Sequence, residues 1–188
     1  MYLLVGLGNY GKEYENTRHN YGFLLIDKII SRYNLDYFGK KFKSDCYQGT
    51  INEKKVFVIK PNTFMNLSGF ALQEVVKFFK ISLAEIIVFH DDLDLEIGRV
   101  KYKIGGGSGG HNGIKSIDEN IGKDYARVRL GIGKPADLRY EIADYVLAKF
   151  SSEELKIVDK INQKIADNIL YLINGDSANF LNKIIEQL

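Results

Sequence analysis

The chain has 188 residues, of which 45% are apolar and 12% aromatic, with 26 Lys plus Arg set against 24 Asp plus Glu. That length fits one domain, 1–188, and the apolar share supports a core, which excludes global disorder. Apolar runs such as Ile86 to Phe89 fall far short of the roughly 18 residues of a membrane span, the N-terminus lacks the basic start and long apolar stretch of a secretory signal, and the single cysteine, Cys46, can form no internal disulfide. We therefore expect a cytoplasmic protein with no membrane partner.

Tyr2 to Val5 reads as a first buried strand ending in Gly6, followed by a long loop. Phe23, Leu24, Ile26, Ile29 and Ile30 recur at helical spacing and predict a helix over about Asn20 to Tyr33. Ser44 to Thr50 and Lys55 to Lys60 flank Asn52-Glu53 as a hairpin, stopped by Pro61. Ala71, Leu72, Val75, Val76 and Phe79 give a helix from Leu67, with Asn66 or Ser68 as its cap. Ile86 to Phe89 has the β-branched, fully apolar character of a central strand, which puts His90-Asp91-Asp92 at its C-terminal end. Arg99 to Ile104 alternates and runs into five glycines among the six residues Gly105 to Gly110. Ile114, Ile117 and Ile121 predict a short helix, and Ala126 to Ile132 a strand. Ser151 with Glu154 forms a capping box for a long helix over Val158, Ile161, Ile165, Ile169 and Leu172 that stops at Asn174-Gly175. A last helix carries Phe180, Leu181, Ile184, Ile185 and Leu188. Interspersed strands and helices with a hairpin predict an α/β domain with a mixed, twisted sheet between helices.

Charge is informative by position. Arg99, Lys101, Lys103 and Lys115 stand in a stretch with no acidic residue, and Arg127, Arg129 and Lys134 follow, so a basic face is expected. Asp91, Asp92, Asp94 and Glu96 just before it would partly cancel that face if folded onto it.

Gly6-Leu7-Gly8-Asn9-Tyr10-Gly11 matches the dinucleotide fingerprint. It does not open into an apolar-faced helix, and no acidic residue ends a second strand at the required distance. Gly106-Gly107-Ser108-Gly109-Gly110 matches a nucleophile elbow, yet the only histidine after Ser108 is His111, on the same loop, so the triad order fails. All three histidines, His19, His90 and His111, fall on loops or strand ends. A histidine beside a carboxylate such as Asp91 is the minimal general-base device, because the carboxylate fixes the tautomer and stabilises the imidazolium. Metal binding by these groups lacks any recognisable ligand spacing. Asn9, Asn66 and Asn112 read singly as turn or cap residues; together they offer neutral amides for a carbonyl, a peptide backbone or a water.

On these residues the sequence resembles the bacterial peptidyl-tRNA hydrolase family. The likeness runs from Leu4-Val5-Gly6-Leu7-Gly8-Asn9 through Tyr14 and Thr17-Arg18-His19-Asn20 to Pro61-Asn62-Thr63-Phe64-Met65-Asn66-Leu67-Ser68-Gly69. It continues in His90-Asp91-Asp92-Leu93-Asp94-Leu95, in Lys103 to Gly107 with Gly109 to Gly113, and in Arg129 to Gly133 with Pro135. The resemblance implies cleavage of the ester between a peptide's C-terminus and the 3′ ribose of tRNA, by a monomer with no metal or organic cofactor. It implies His19 as general base, Asp91 as the group holding that imidazole, and Asn9 as a reader of blocked over free aminoacyl groups. Asn66 and Asn112 would position substrate and water, Tyr14 and Phe64 would lie near the tRNA end, and Met65 and His111 would contact substrate. Lys103 and Arg129 would meet tRNA phosphates. Tyr10 stands where the family commonly has proline, which predicts altered loop stiffness with activity kept. Noncatalytic RNA-binding relatives share the fold, so an RNA-binding module is the competing expectation.

Overall fold

The computed structural model describes residues 1–185. Seven strands, β1 (Tyr2–Gly6), β2 (Asp36–Lys41), β3 (Ser44–Ile51), β4 (Lys54–Pro61), β5 (Ile86–Asp92), β6 (Val100–Ile104) and β7 (Ala126–Gly131), form one sheet in the order β2-β3-β4-β1-β5-β7-β6. The inner strands β4, β1, β5 and β7 run parallel, while β2, β3 and β6 are antiparallel to their neighbours. Helices α1 (Tyr21–Tyr33), α2 (Ser68–Phe79), α3 (Asn112–Ile121), α4 (Ile142–Leu147), α5 (Ser152–Ile173) and α6 (Ser177–Ile185) complete the layers.

Because successive side chains leave opposite faces of a strand, the inner strands feed two cores. Leu4, Val58, Ile87, Phe89 and Val128 pack with residues of α1, α5 and α6, whereas Leu3, Val5, Ile59, Ile86 and Val88 pack with residues of α2 and α3. Burial on both sides explains why these strands read as continuous apolar runs. The same alternation puts Asp91 on the face of Phe89 and His90 on that of Val88, just where the apolar run ends.

Two elements depart from the expectation. Strand β2 has no counterpart among the sequence expectations, because Asp36 to Lys41 is a largely exposed, lysine-bearing edge with a bulge between Tyr37 and Gly39. Its turn to β3, Phe42-Lys43, has positive φ at both residues (51° and 50°), as does Asn52-Glu53 between β3 and β4 (45° and 67°). Neither carries the usual Asn-Gly signal; Phe42 is held by contacts with Phe57, Phe78 and Phe79. Helix α4 was also missed, since it is six residues long and buries only Val146. The capping box Ser151–Glu154 is present, but α2 has no side-chain cap: Ser68 donates to Met65 O at 2.8 Å and starts the helix after a 3-10 turn, Met65–Leu67. Leu188, expected on the last helix, lies outside the described residues.

Helix α1 presses its first turn onto β1 and β5. A Cβ on Gly22 would lie 2.4 Å from both the Leu7 amide nitrogen and the Phe89 carbonyl oxygen. Both obstacles are backbone, one just past the end of β1 and one in β5, so Gly22→Ala is expected to destabilise by about 3 kcal/mol. Urea unfolding checks this, and an unchanged midpoint would show that α1 can move away freely.

Candidate active site

The site forms at the C-terminal edge of the parallel strands, where ligand sites of open α/β sheets gather. After β1 the chain does not enter a helix as a dinucleotide fold would; it passes through 3-10 turns at Lys12–Tyr14 and Arg18–Asn20 before α1 begins. The second turn carries His19. Its neighbours fix it from both sides. Arg18 Nη1 donates to the carbonyls of Tyr145 and Ala148 at 3.4 Å and of Lys149 at 3.3 Å, and its Nη2 donates to both carboxylate oxygens of Glu154 at 3.1 and 3.0 Å. It thereby straps the turn to the end of α4 and the start of α5. Asn20 exchanges two bonds with the Asn9 main chain: the Asn9 N–H donates to Asn20 Oδ1 at 2.8 Å and Asn20 Nδ2 donates to Asn9 O at 3.0 Å. Asn9 Oδ1 in turn accepts the Met65 N–H at 2.7 Å, and among the described residues its amide nitrogen has no hydrogen-bond partner.

Asp91 sits at the centre. His19 Nδ1 lies 2.9 Å from Asp91 Oδ2, and His111 Nε2 lies 2.8 Å from Asp91 Oδ1. His111 is also the N-cap of α3, its Nδ1 accepting the N–H groups of Gly113 at 3.1 Å and Ile114 at 3.3 Å. A nitrogen that accepts two amides carries no proton, so the His111 proton is on Nε2 and is donated to the carboxylate. Likewise His19 is assigned Nδ1–H toward Asp91, which leaves Nε2 with its lone pair.

The electrostatics follow. Burial alone would raise the Asp91 pKa, but His19 and His111 outweigh it and hold the carboxylate far below its ordinary range. Burial would lower the His19 pKa, yet the charge and hydrogen bond of Asp91 win and raise it above 6.5. His90, fully enclosed and next to His111, is pulled down to about 3.

In front of these groups lies a cavity of about 460 Å³. His19, Asp91, His111 and Asn112 share its wall with Lys103, Arg127, Arg129, Ser108 and the glycine loop, and Ile142, Ala143 and Val146 of α4 close another side. The basic face is real and partly neutralised. Lys101 is paired with Arg129, and Lys103 with Arg127, across β6 and β7, so four cations share one face. Arg127 is buried against Asp118 at 2.7 Å and Arg129 binds Asp92 at 2.6 Å. Lys103 and Arg127 both donate to Gly107 O, at 3.0 and 3.1 Å, and so tether the glycine loop.

A family model described as peptidyl-tRNA hydrolase matches residues 3–187. The chain belongs to the peptidyl-tRNA hydrolase family. It is 49% identical over 185 residues to the peptidyl-tRNA hydrolase of Wolbachia pipientis wMel, covering 98% of this chain and 100% of that protein. It is 47% identical over 186 residues to the peptidyl-tRNA hydrolase of Rickettsia prowazekii, again covering 98% and 100%. The crystal structure of the Acinetobacter baumannii peptidyl-tRNA hydrolase superposes with a TM-score of 0.91 at 34% identity, over 98% of this chain and 94% of that one.

Against the residues that the peptidyl-tRNA hydrolase resemblance implies, the structure brings His19, Asp91, His111, Asn112, Lys103 and Arg129 to one cavity. Asn9 and Met65 are joined to each other and are not among the residues that line it, and Met65 Sδ lies against Gly113. Phe64 and Asn66 are exposed on the neighbouring turn, and Tyr14 is half-buried with only main-chain hydrogen bonds. Among the described residues Ser108 makes no side-chain hydrogen bond to a histidine or carboxylate that could serve it as a base. The donor atoms of His19, Asp91 and His111 lie within 4.8 Å of one another, close enough for a metal. Both ring nitrogens of His111 and both carboxylate oxygens of Asp91 are nevertheless engaged with protein, so the donor set reads as a hydrogen-bonded relay. Arg18 and Asn20 carry no individual role in the sequence reading, and Arg127 enters it only as part of the basic face; the Arg18 partners lie more than 120 residues away, and the bonds of Asn20 to Asn9 and of Arg127 to Asp118 depend on the folded loop and strand.

Proposed function

We propose that this chain hydrolyses peptidyl-tRNA with His19 as general base. The observation that carries this reading is the buried Asp91 carboxylate 2.9 Å from His19 Nδ1, with His19 Nε2 left for water at the cavity wall. Nε2 takes a proton as the water oxygen bonds to the ester carbonyl carbon. The tetrahedral oxyanion is held by neutral donors, the Asn9 and Asn112 amides or the N–H groups of the glycine loop. The C–O bond to the ribose then breaks, and the imidazolium returns its proton to the departing hydroxyl. Asp91 keeps the productive tautomer throughout and stabilises the imidazolium.

Lys103 and Arg129 are read as phosphate contacts. Lys103→Ala and Arg129→Ala are each expected to weaken tRNA binding and reduce the salt slope by about one unit. A slope that does not move would place the phosphates elsewhere. Arg129→Ala also frees Asp92, whose carboxyl burial would raise but Arg129 lowers.

No described helix is long and apolar enough to cross a membrane. We read the protein as a cytoplasmic monomer; the buried free thiol of Cys46 suits a reducing compartment. The test is release of N-acetylated amino acid from N-acetyl-aminoacyl-tRNA, with unblocked aminoacyl-tRNA as control and EDTA present. Hydrolysis of the blocked substrate alone supports the reading. Folded protein that binds tRNA and hydrolyses neither would be the noncatalytic RNA-binding module.

A further inference from the structure

We propose that His90 is a positioning residue for the general base: its Nδ1–H holds the main chain at Asp91, and with it the carboxylate that aligns His19. The pairing of β1 with β5 ends at Gly6 opposite Phe89, and Leu7 N–H still reaches the Phe89 carbonyl at 3.0 Å. Carbonyls two residues apart on a strand face the same side. The Asp91 carbonyl therefore points past the end of β1, where the sheet supplies no further donor. His90 Nδ1 lies 2.8 Å from it.

The ring touches the second determinant of the Asp91 position as well. It stands edge-on to His111, with centroids 4.9 Å apart and planes at 71°, and His111 gives its Nε2–H to Asp91 Oδ1. His90 thus bears on the carboxylate through its backbone and through its partner. What the imidazole does not do is equally informative. Its Nε2 is buried without a hydrogen-bond partner among the described residues. A phenylalanine would fill the place and strand no nitrogen, so the polar ring is kept at a cost to stability. The one hydrogen bond it makes in return falls on Asp91.

The titratable groups acting on His90 are Asp91 and Asp92 of β5 and His111 ahead of α3, and β7 brings Arg129 to the register position beside it. Since burial and His111 keep the ring neutral down to about 3, it remains a donor through Nδ1 and adds no cation to compete with His19 for Asp91. His19 itself is faced by Asp91 and by the His111 ring.

NMR titration of the His19 ring tests this without substrate, in a protein with only three histidines to assign. The variants are His90→Phe, which keeps a ring and loses the donor, and His90→Asn, whose amide nitrogen occupies the Nδ1 position. His90→Phe is expected to lower the His19 midpoint by about one unit, because a loosened Asp91 raises it less while burial still lowers it. His90→Asn is expected to keep it. A lowered melting temperature with an unmoved midpoint in both variants would reduce His90 to packing and overturn the proposal, as would equal shifts in both. The wild-type protein supplies a check that needs no variant: nitrogen shifts of His90 must show the proton on Nδ1, and a proton on Nε2 contradicts the assignment. The consequence for turnover, a lower kcat in His90→Phe with KM nearly unchanged, rests on the hydrolytic reading above. If wild type hydrolyses nothing, that reading fails, whereas the titration judges the positioning role separately.

Discussion

His19→Ala is expected to lower kcat for N-acetyl-aminoacyl-tRNA by about 10³-fold, on the order of 4 kcal/mol of barrier, with tRNA binding kept. The size follows from the division of labour in the cavity. The groups read as meeting phosphate, Lys103 and Arg129, stand on β6 and β7, and the groups proposed as oxyanion donors are neutral amides and loop N–H groups; none of them is removed. What is lost is the one lone pair held at the cavity wall by a buried carboxylate. Turnover and filter binding measured on the same preparation check both halves of the expectation. A variant that lost binding and turnover together would show that His19 serves the substrate and not the water.

Asp91→Asn follows with a loss of about 10²–10⁴-fold and a change in pH dependence of definite sign. An asparagine can turn its amide nitrogen toward His19 Nδ1, which forces the proton onto Nε2 and leaves no base facing the water. The same change removes the charge and hydrogen bond that raise the His19 pKa, while the burial that lowers it remains. The acid limb of kcat/KM should therefore move to lower pH as its plateau falls. Stability obeys the companion rule. The depressed Asp91 pKa stabilises the wild-type fold above the carboxyl's ordinary range, and that contribution is lost as pH falls through the folded value; the raised His19 pKa stabilises below 6.5 and is lost as pH rises through its own. Within the carboxyl range, the loss of stability with falling pH should accordingly be shallower in Asp91→Asn than in wild type, and equal slopes there would speak against the buried relay.

The parts of the fold that were legible are those where local chemistry and tertiary packing agree. Ile86 to Phe89 is apolar because both faces of β5 are covered, and the end of that run marks His90 and Asp91 in the sequence itself. Ser151 and Glu154 announce α5 because a capping box is local. Strand β2 was illegible because its turn puts Phe42 and Lys43 at positive φ, a conformation held by the aromatic cluster of Phe57, Phe78 and Phe79 from other elements. In the site, His19 and Asp91 stand out as chemistry-bearing residues beside strand ends. The roles of Arg18, Asn20 and His111 do not, since each depends on a carbonyl or amide that only folding brings near. Histidine is not among the common N-caps, and nothing local says that His111 both caps α3 and serves Asp91.

The most direct test of the account is the pH dependence of kcat/KM for N-acetyl-aminoacyl-tRNA in wild type and His19→Ala, corrected for uncatalysed ester loss. Wild type should rise with pH along a limb whose midpoint lies above 6.5, the direction in which Asp91 moves the His19 pKa, and His19→Ala should retain a small rate without that limb. The same limb at the same height in His19→Ala would contradict the account, because the base would then be another group.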